Sequence, residues 1–149
     1  MNTRKTLPPT YLLVAIILQW LLHAVIPVAK FIPVPWNLLG ILPLAVGIAM
    51  NLVADGVFKR AETTVKPFQE SSTLVTSGIY AYTRNPMYVG YVLMLGGLAI
   101  LVRSLTPWLV VPGFAVLMDR IFIRAEEGML ANKFGETWDS YSKRVRRWV

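Results

Sequence analysis

The chain has 149 residues, 55% of them hydrophobic, and a mean hydropathy of +0.53. That is too apolar for an ordinary soluble domain and is the composition of a membrane protein, here of a length that suits one compact bundle, a single domain over 1–149. With no cysteine and a single histidine, His23, the chain excludes disulfides, thiolate chemistry and multi-histidine metal centres, and no metal site is expected.

Four apolar spans succeed one another, about 11–29, 36–58, 87–105 and 108–123. Each is near the ~20 residues that cross a bilayer as a helix. The first comes after Arg4 and Lys5, but no small-residue cleavage site closes it, so it reads as a transmembrane helix and not a signal peptide. The links Lys30–Pro35 and Arg103–Pro107 are short, which predicts two tight hairpins. The middle link, Lys59 to Pro86, is long and polar, with Ser71-Ser-Thr73 as plain loop. Within the spans, His23 is expected to make an interhelical hydrogen bond and Asp55 to pair with Lys59 one turn on. Pro43 and Pro112 predict kinks. Gly90, Gly96 and Gly97 predict close helix packing.

The remainder, 124–149, reads as a cytoplasmic tail. Leu130, Phe134, Trp138, Tyr141, Val145 and Trp148 recur at three- and four-residue steps, an amphipathic helical stripe that Gly135 divides into two pieces. The expected fold is therefore an all-α integral membrane protein: four transmembrane helices as two hairpins, plus a C-terminal amphipathic segment along the membrane surface or under the bundle.

Charge placement sets the topology. Four crossings put both termini and the middle link on one side, and that side holds 13 of the 15 basic residues, leaving Lys30 and Arg103 on the other. The asymmetry places both termini in the cytoplasm, with Trp36 and Trp108 as interfacial aromatics on the opposite face. The net charge of +7 thus reads as topology and contact with anionic membrane lipids, not as a nucleic-acid surface.

Two polar clusters stand at the cytoplasmic edge. One is Gly78-Ile-Tyr-Ala-Tyr-Thr-Arg-Asn-Pro-Met-Tyr-Val-Gly90, which runs directly into the third span. Asn85-Pro86 is a helix start, with Asn as cap and Pro in the first turn. The other is Arg124-Ala-Glu-Glu127, just after the fourth span. The third and fourth helices are neighbours, so the clusters face each other at one membrane level. Together they offer a cation (Arg84), a helix N-terminus, two phenols (Tyr80 and Tyr88) and two carboxylates (Glu126 and Glu127). A helix end with Arg suits a carboxylate, and a Glu suits an ammonium or a ribose diol, so the set fits a zwitterionic ligand. Structural readings compete at each position: Asn-Pro is a common helix start, and Glu-Glu after a span is often a solvated helix end.

Leu74-Val-Thr-Ser-Gly-Ile-Tyr80, Arg84-Asn-Pro-Met-Tyr-Val-Gly90, Glu126-Glu127, and Phe134-Gly-Glu with Tyr141 and Val145-Arg-Arg-Trp148 together resemble the isoprenylcysteine carboxyl methyltransferase family. That family belongs to a wider group of integral-membrane methyltransferases that includes phospholipid N-methyltransferases. The resemblance covers roughly residues 60–149 and rests on the order and spacing of the four motifs. It implies an S-adenosylmethionine pocket at the cytoplasmic face, with S-adenosylhomocysteine as product. By position the pocket is lined by Thr73, Leu74, Val75, Tyr80, Asn85, Pro86, Tyr88 and Glu126, to which the facing polar clusters add Arg84 and Glu127 as cofactor-binding candidates. Two departures stand out. The family commonly has Arg-His-Pro where this chain has Arg84-Asn-Pro, and Asn does not titrate near neutral pH. The arginine associated with the acceptor carboxylate in eukaryotic members falls at Phe122, flanked by Arg120 and Arg124, which become the candidate substrate-binding residues.

The expected activity is methyl transfer from S-adenosylmethionine to a lipophilic acceptor, an isoprenoid-type carboxylate or thiolate. No catalytic acid or base is assigned, because such an acceptor needs positioning more than proton transfer. The alternatives are a phospholipid amine N-methyltransferase, a non-enzymatic membrane scaffold and a small transporter. The last is weak, since the chain has few intramembrane charges and no repeat. The sequence carries no signal for an oligomeric state.

Overall fold

The structure is a computed structural model that describes residues 7–61 and 72–149. Arg4, Lys5, Lys66 and Ser71 lie outside the described residues. Among the described residues the fold is all-helical: α1 (Pro8–Val25), α2 (Ile41–Arg60), α3 (Pro86–Val102), α4 (Val110–Met118), α5 (Arg124–Phe134) and α6 (Glu136–Arg144). Short 3₁₀ turns precede α2 (Trp36–Gly40) and α4 (Thr106–Leu109), and another, Gly78–Ala81, lies in the middle link.

The first span is shorter at its far end than expected. It runs Pro8–Val25, because Pro27 cannot continue the helix. The third stops at Val102, where Arg103 turns left-handed (φ 68°). The fourth is longer: 3₁₀, α4, a π-turn at Asp119–Ile123 and α5 form one continuous run over Thr106–Phe134. The Glu pair therefore stands on the same continuous helical run as the fourth apolar span. Pro43 and Pro112 do not sit mid-helix. Each is the third residue of its α-helix, just after the change from 3₁₀ to α. Among the described residues, three helical runs, Pro8–Val25, Trp36–Arg60 and Thr106–Phe134, are long and apolar enough to cross a membrane; α3, with 17 residues, is apolar but shorter.

The first expected hairpin does not form as a packed pair. α1 packs on α3 and α4, while α2 packs along the other side of α3, which lies between them. Glycine explains the arrangement. Gly40 meets Gly97 and Gly47 meets Gly90 in opposite chain order, so α2 and α3 run antiparallel with their backbones close together. A Cβ on Gly90 would stand 2.7 Å from the Gly47 carbonyl oxygen, a distance side chains do not tolerate. Gly96, in contrast, faces open space. Asn51 seals the contact by donating to the Gly47 and Met87 carbonyls at 2.9 and 3.3 Å. On the other side of α3, the buried Gln19 amide donates to the carbonyls of Leu95 (3.0 Å) and Pro107 (3.2 Å), tying α1 to both its neighbours. His23 Nδ1 meets Ser104 Oγ at 2.7 Å, the expected interhelical bond, and Asp55 pairs with Lys59 as expected.

The main core joins Leu12 and Ala15 of α1, Tyr88, Tyr91 and Leu95 of α3, and Phe114, Met118, Phe122 and Ile123 of the Thr106–Phe134 run. Gly135 (φ 48°) breaks the tail into α5 and α6, as its position in the stripe predicts. α6 does not lay its apolar face on open surface. Trp138 and Tyr141 are buried against Leu74, Leu130 and Phe134, so the segment folds back under the bundle.

Candidate active site

The two polar clusters meet. Tyr88, one turn into α3, donates its hydroxyl to Glu126 Oε1 at 2.9 Å. Arg84, just before α3, pairs with Glu127 at 3.2 Å, both side chains being 13% exposed. Two residues thirty-eight apart in sequence thus bond directly, because α3 enters and the α4–α5 helix leaves at the same end of the bundle. The Arg84 guanidinium also lies over the Trp138 ring, 5.5 Å from its centre, in a cation–π arrangement.

The π-turn places the acids. Its mark is the Arg124 N–H, which bonds to the Asp119 carbonyl five residues back. The extra residue in the turn lets Phe122 and Ile123 both point inward, 1% and 0% exposed, and rotates the start of α5 so that Glu126 and Glu127 face α3. Such insertions recur at functional sites. Phe122 stacks on Tyr88 (6.4 Å, 28° between planes) and takes the edge of Tyr11 (5.4 Å, 81°). A wall of rings therefore stands beside the Tyr88–Glu126 bond.

The tail completes the site in a way the sequence does not announce. Arg147 reaches Glu127 at 2.6 Å and Asp119 at 3.1 Å, and its backbone carbonyl accepts from Asn85 Nδ2 at 3.0 Å and Thr83 Oγ1 at 3.3 Å. The Arg84 N–H donates to the Arg146 carbonyl at 3.0 Å. Asn85 stands at the cap position of α3, but its side chain makes no cap bond; it holds the tail instead. The bond to the Glu127 carboxylate, helped by its charge and by Asp119, raises the Arg147 guanidinium above its ordinary range against the opposing effect of burial.

Tyr80 is buried, its ring edge-on to Phe58 at 5.2 Å, and its carbonyl accepts the Tyr141 hydroxyl at 2.7 Å. Burial pushes the Tyr80 phenol far above its ordinary range, with Tyr141, Glu126 and Asp55 adding to the rise. Burial likewise raises Tyr141 to about 12; Arg84 pulls it down and Glu127 pushes it up by less. Both phenols stay neutral in physiological conditions and do not act as bases; the Tyr141 hydroxyl serves as a hydrogen-bond donor.

Of the residues expected at the site, Tyr80, Arg84, Asn85, Pro86, Tyr88, Glu126 and Glu127 come together at this end of the bundle. Leu74 packs beneath α6 and Val75 packs with Ala54 and Tyr80, so both shape the floor of the link. Thr73 is exposed and adds no bond to the network among the described residues. Arg120 and Arg124 are exposed on the far side of the helix from Phe122, and Arg124 pairs with Asp119 at 2.9 Å. Thr83 lies in the first polar cluster and Asp119 is, with Glu127, a candidate base for an amine acceptor, but the bonds these two make, and the parts played by Trp138 and Arg147, were not legible. The one available signal was the Val145-Arg-Arg-Trp148 motif at the end of the amphipathic stripe.

With this geometry in view, the sequence model of the phospholipid methyltransferase family matches residues 36–137, most of the chain. The chain belongs to the phospholipid methyltransferase family. It is 36% identical over 75 residues to the protein-S-isoprenylcysteine O-methyltransferase of Schizosaccharomyces pombe, covering 48% of this chain and 30% of that protein. It is 38% identical over 79 residues to the Xenopus laevis enzyme of the same name, covering 51% of this chain and 26% of that protein. Its fold is similar to a solved eukaryotic intramembrane Ras methyltransferase, isoprenylcysteine carboxyl methyltransferase, with a TM-score of 0.69 and 23% identity, over 100% of this chain and 53% of that one. The chain thus spans less than a third of the length of these curated relatives and about half of the solved structure. The family membership, the shared fold and the run of apolar helices make it a multi-pass integral membrane protein.

Proposed function

We propose that this protein transfers a methyl group from S-adenosylmethionine to a lipophilic acceptor at the cytoplasmic membrane face. Four crossings by α1, α2, α3 and the α4–α5 helix, with both termini cytoplasmic, are part of the proposal. It is supported by the basic residues gathered at the site end and by the paucity of charge at the other. The observation that carries the reading is the convergence of Tyr88–Glu126 and Arg84–Glu127 where α3 begins.

The residues fit a zwitterionic cofactor. Arg84 Nε is a buried donor without a partner among the described residues, and the first turn of α3 has no side-chain cap, so cationic and N–H donors remain for a carboxylate. Glu127 is already held by Arg84 and Arg147, which leaves Glu126 as the acid for an ammonium or a ribose diol. Tyr88 fixes the orientation of Glu126, and Asn85 and Thr83 hold the tail across the helix start. When bound, S-adenosylmethionine supplies an electrophilic methyl carbon. The chain's own part is to orient the cofactor and to exclude water with Tyr88, Phe122 and Trp138, so that the acceptor meets it in line.

The likeness to isoprenylcysteine O-methyltransferases favours a prenylated carboxylate as acceptor over a thiol, whose proton a base would have to take. Such an acceptor is anionic at neutral pH and asks no proton transfer of the protein. The absence of a titrating residue at Asn85 and the neutrality of Tyr80 and Tyr141 are compatible with that chemistry. Arg124 and Arg120 are the proposed contacts for the acceptor's charge; both stand on the exposed face of the α4–α5 helix away from Phe122, so the contact requires the acceptor to approach along that outer face and to compete with Asp119 for Arg124.

The test is calorimetric titration of the detergent-purified protein with S-adenosylhomocysteine. Saturable binding that disappears in Glu126→Ala is expected; a folded protein that does not bind refutes the assignment. Turnover with farnesylcysteine-type acids, compared with phosphatidylethanolamine, then sorts the acceptor.

A further inference from the structure

At the opposite end of the bundle, between α1 and α3, lies a cavity of about 440 Å³. It is lined by apolar side chains (Trp20, Leu98, Leu101) and by two cations (Lys30, Arg103), together with His23. Three observations single it out. First, Lys30 and Arg103 are the two basic residues that the charge pattern leaves at this end, and both line this one cavity. Second, all eight acidic residues of the chain fall within 55–70 or 119–139, and no carboxylate pairs with either cation among the described residues, so the positive charge stands without a counter-ion there. Third, Ala29 (φ 41°) and Arg103 (φ 68°) are the non-glycine residues with positive φ among those described; one adjoins Lys30 and the other is a cation of the pair. Left-handed backbone is disfavoured for a residue with a side chain and persists where surroundings hold it, often at binding sites.

Those surroundings are visible. Ser104 pairs with Lys30 in an antiparallel bridge, Leu105 N–H donates to the Val28 carbonyl at 2.9 Å, and Arg103 Nε donates to the Ile32 carbonyl at 2.9 Å. The two connections are laced together so that both cations border one opening. Glycine is the usual residue where a helix ends in the left-handed region, as α3 does; here the position carries a guanidinium.

We propose that this cavity binds the phosphate of an anionic phospholipid, with Lys30 and Arg103 on the headgroup and an acyl chain lying along Leu98, Leu101 and Trp20. The shared chemistry is a phosphate group with net negative charge; the apolar wall assigns it to a lipid and not to free phosphate. The site is remote from the Glu126 cluster and does not depend on the methyltransferase reading.

The experiment uses the full chain in neutral detergent, titrated with dioctanoyl phosphatidylglycerol, dioctanoyl phosphatidylcholine and inorganic phosphate, with native mass spectrometry counting bound molecules. Phosphatidylglycerol is expected to bind best, and Lys30→Gln and Arg103→Gly each to weaken it about five-fold, the value of one cation near an anionic surface. Arg103→Gly relieves the left-handed position but loses the Nε bond to the Ile32 carbonyl; the two effects oppose each other, so its melting temperature should hold while binding falls, which separates lost recognition from lost fold. Equal binding of the two lipids, or unchanged phosphatidylglycerol affinity in both variants, overturns the proposal. Inorganic phosphate that displaces phosphatidylglycerol at equal concentration makes this a free-anion site and overturns the lipid assignment.

Discussion

Replacing Tyr88 by Phe removes one oxygen and nothing else. The ring keeps its stack on Phe122 and its edge contact with Tyr91 at 6.2 Å. Lost is the hydroxyl that donates to Glu126 Oε1 at 2.9 Å, in a position only 6% exposed. A buried hydrogen bond to a carboxylate contributes about 2 kcal/mol. If that bond holds Glu126 for a ligand's ammonium or diol, its loss weakens S-adenosylhomocysteine by about thirty-fold, taking tenfold per 1.4 kcal/mol. Calorimetry on wild type, Tyr88→Phe, Glu126→Gln and the double variant gives the coupling directly. The two changes should be strongly non-additive, because Tyr88 is argued to act through Glu126. Wild-type affinity in Tyr88→Phe, or additivity within about 0.5 kcal/mol, would refute the reasoning that Tyr88 orients the acid.

Arg147→Met strips Glu127 and Asp119 of a shared partner; since the arginine is about one-third exposed, the loss should be about 1–2 kcal/mol, seen as a lower thermal midpoint. Gly90→Val should prevent folding, since even a Cβ there meets the Gly47 carbonyl, whereas Gly96→Ala faces open space and should raise helix stability by up to ~1 kcal/mol; expression and melting in detergent distinguish them. Arg124→Ala should reduce turnover of an anionic acceptor while leaving S-adenosylhomocysteine affinity intact; equal loss of both would move Arg124 into the cofactor site.

Local chemistry was legible; of the long-range partnerships, only the meeting of the two polar clusters was. Asn85-Pro86 marks a helix start correctly, yet the expected side-chain cap is replaced by a bond to the Arg147 carbonyl sixty-two residues away. No local rule contains that partner. The glycines show the same division: spacing alone suggested close packing for Gly90, Gly96 and Gly97, but a neighbour is present at the first and last only. The expected α1–α2 hairpin failed because a short link sets proximity of helix ends, not which faces pack. α2 finds in α3 a glycine-lined partner, and α1 finds carbonyls for Gln19 on α3 and beside α4.

Hydropathy, charge asymmetry and chain direction were enough to establish the membrane class, the helix-rich order of spans, the break at Gly135 and the meeting of Tyr88 and Arg84 with the Glu pair. It took the packed bundle to show that Glu127 is taken up by Arg84 and Arg147 while Glu126 turns to Tyr88. The physical reason is the π-turn at Asp119–Ile123: one extra residue in the turn rotates both carboxylates toward α3, and no side-chain pattern in the chain encodes that rotation.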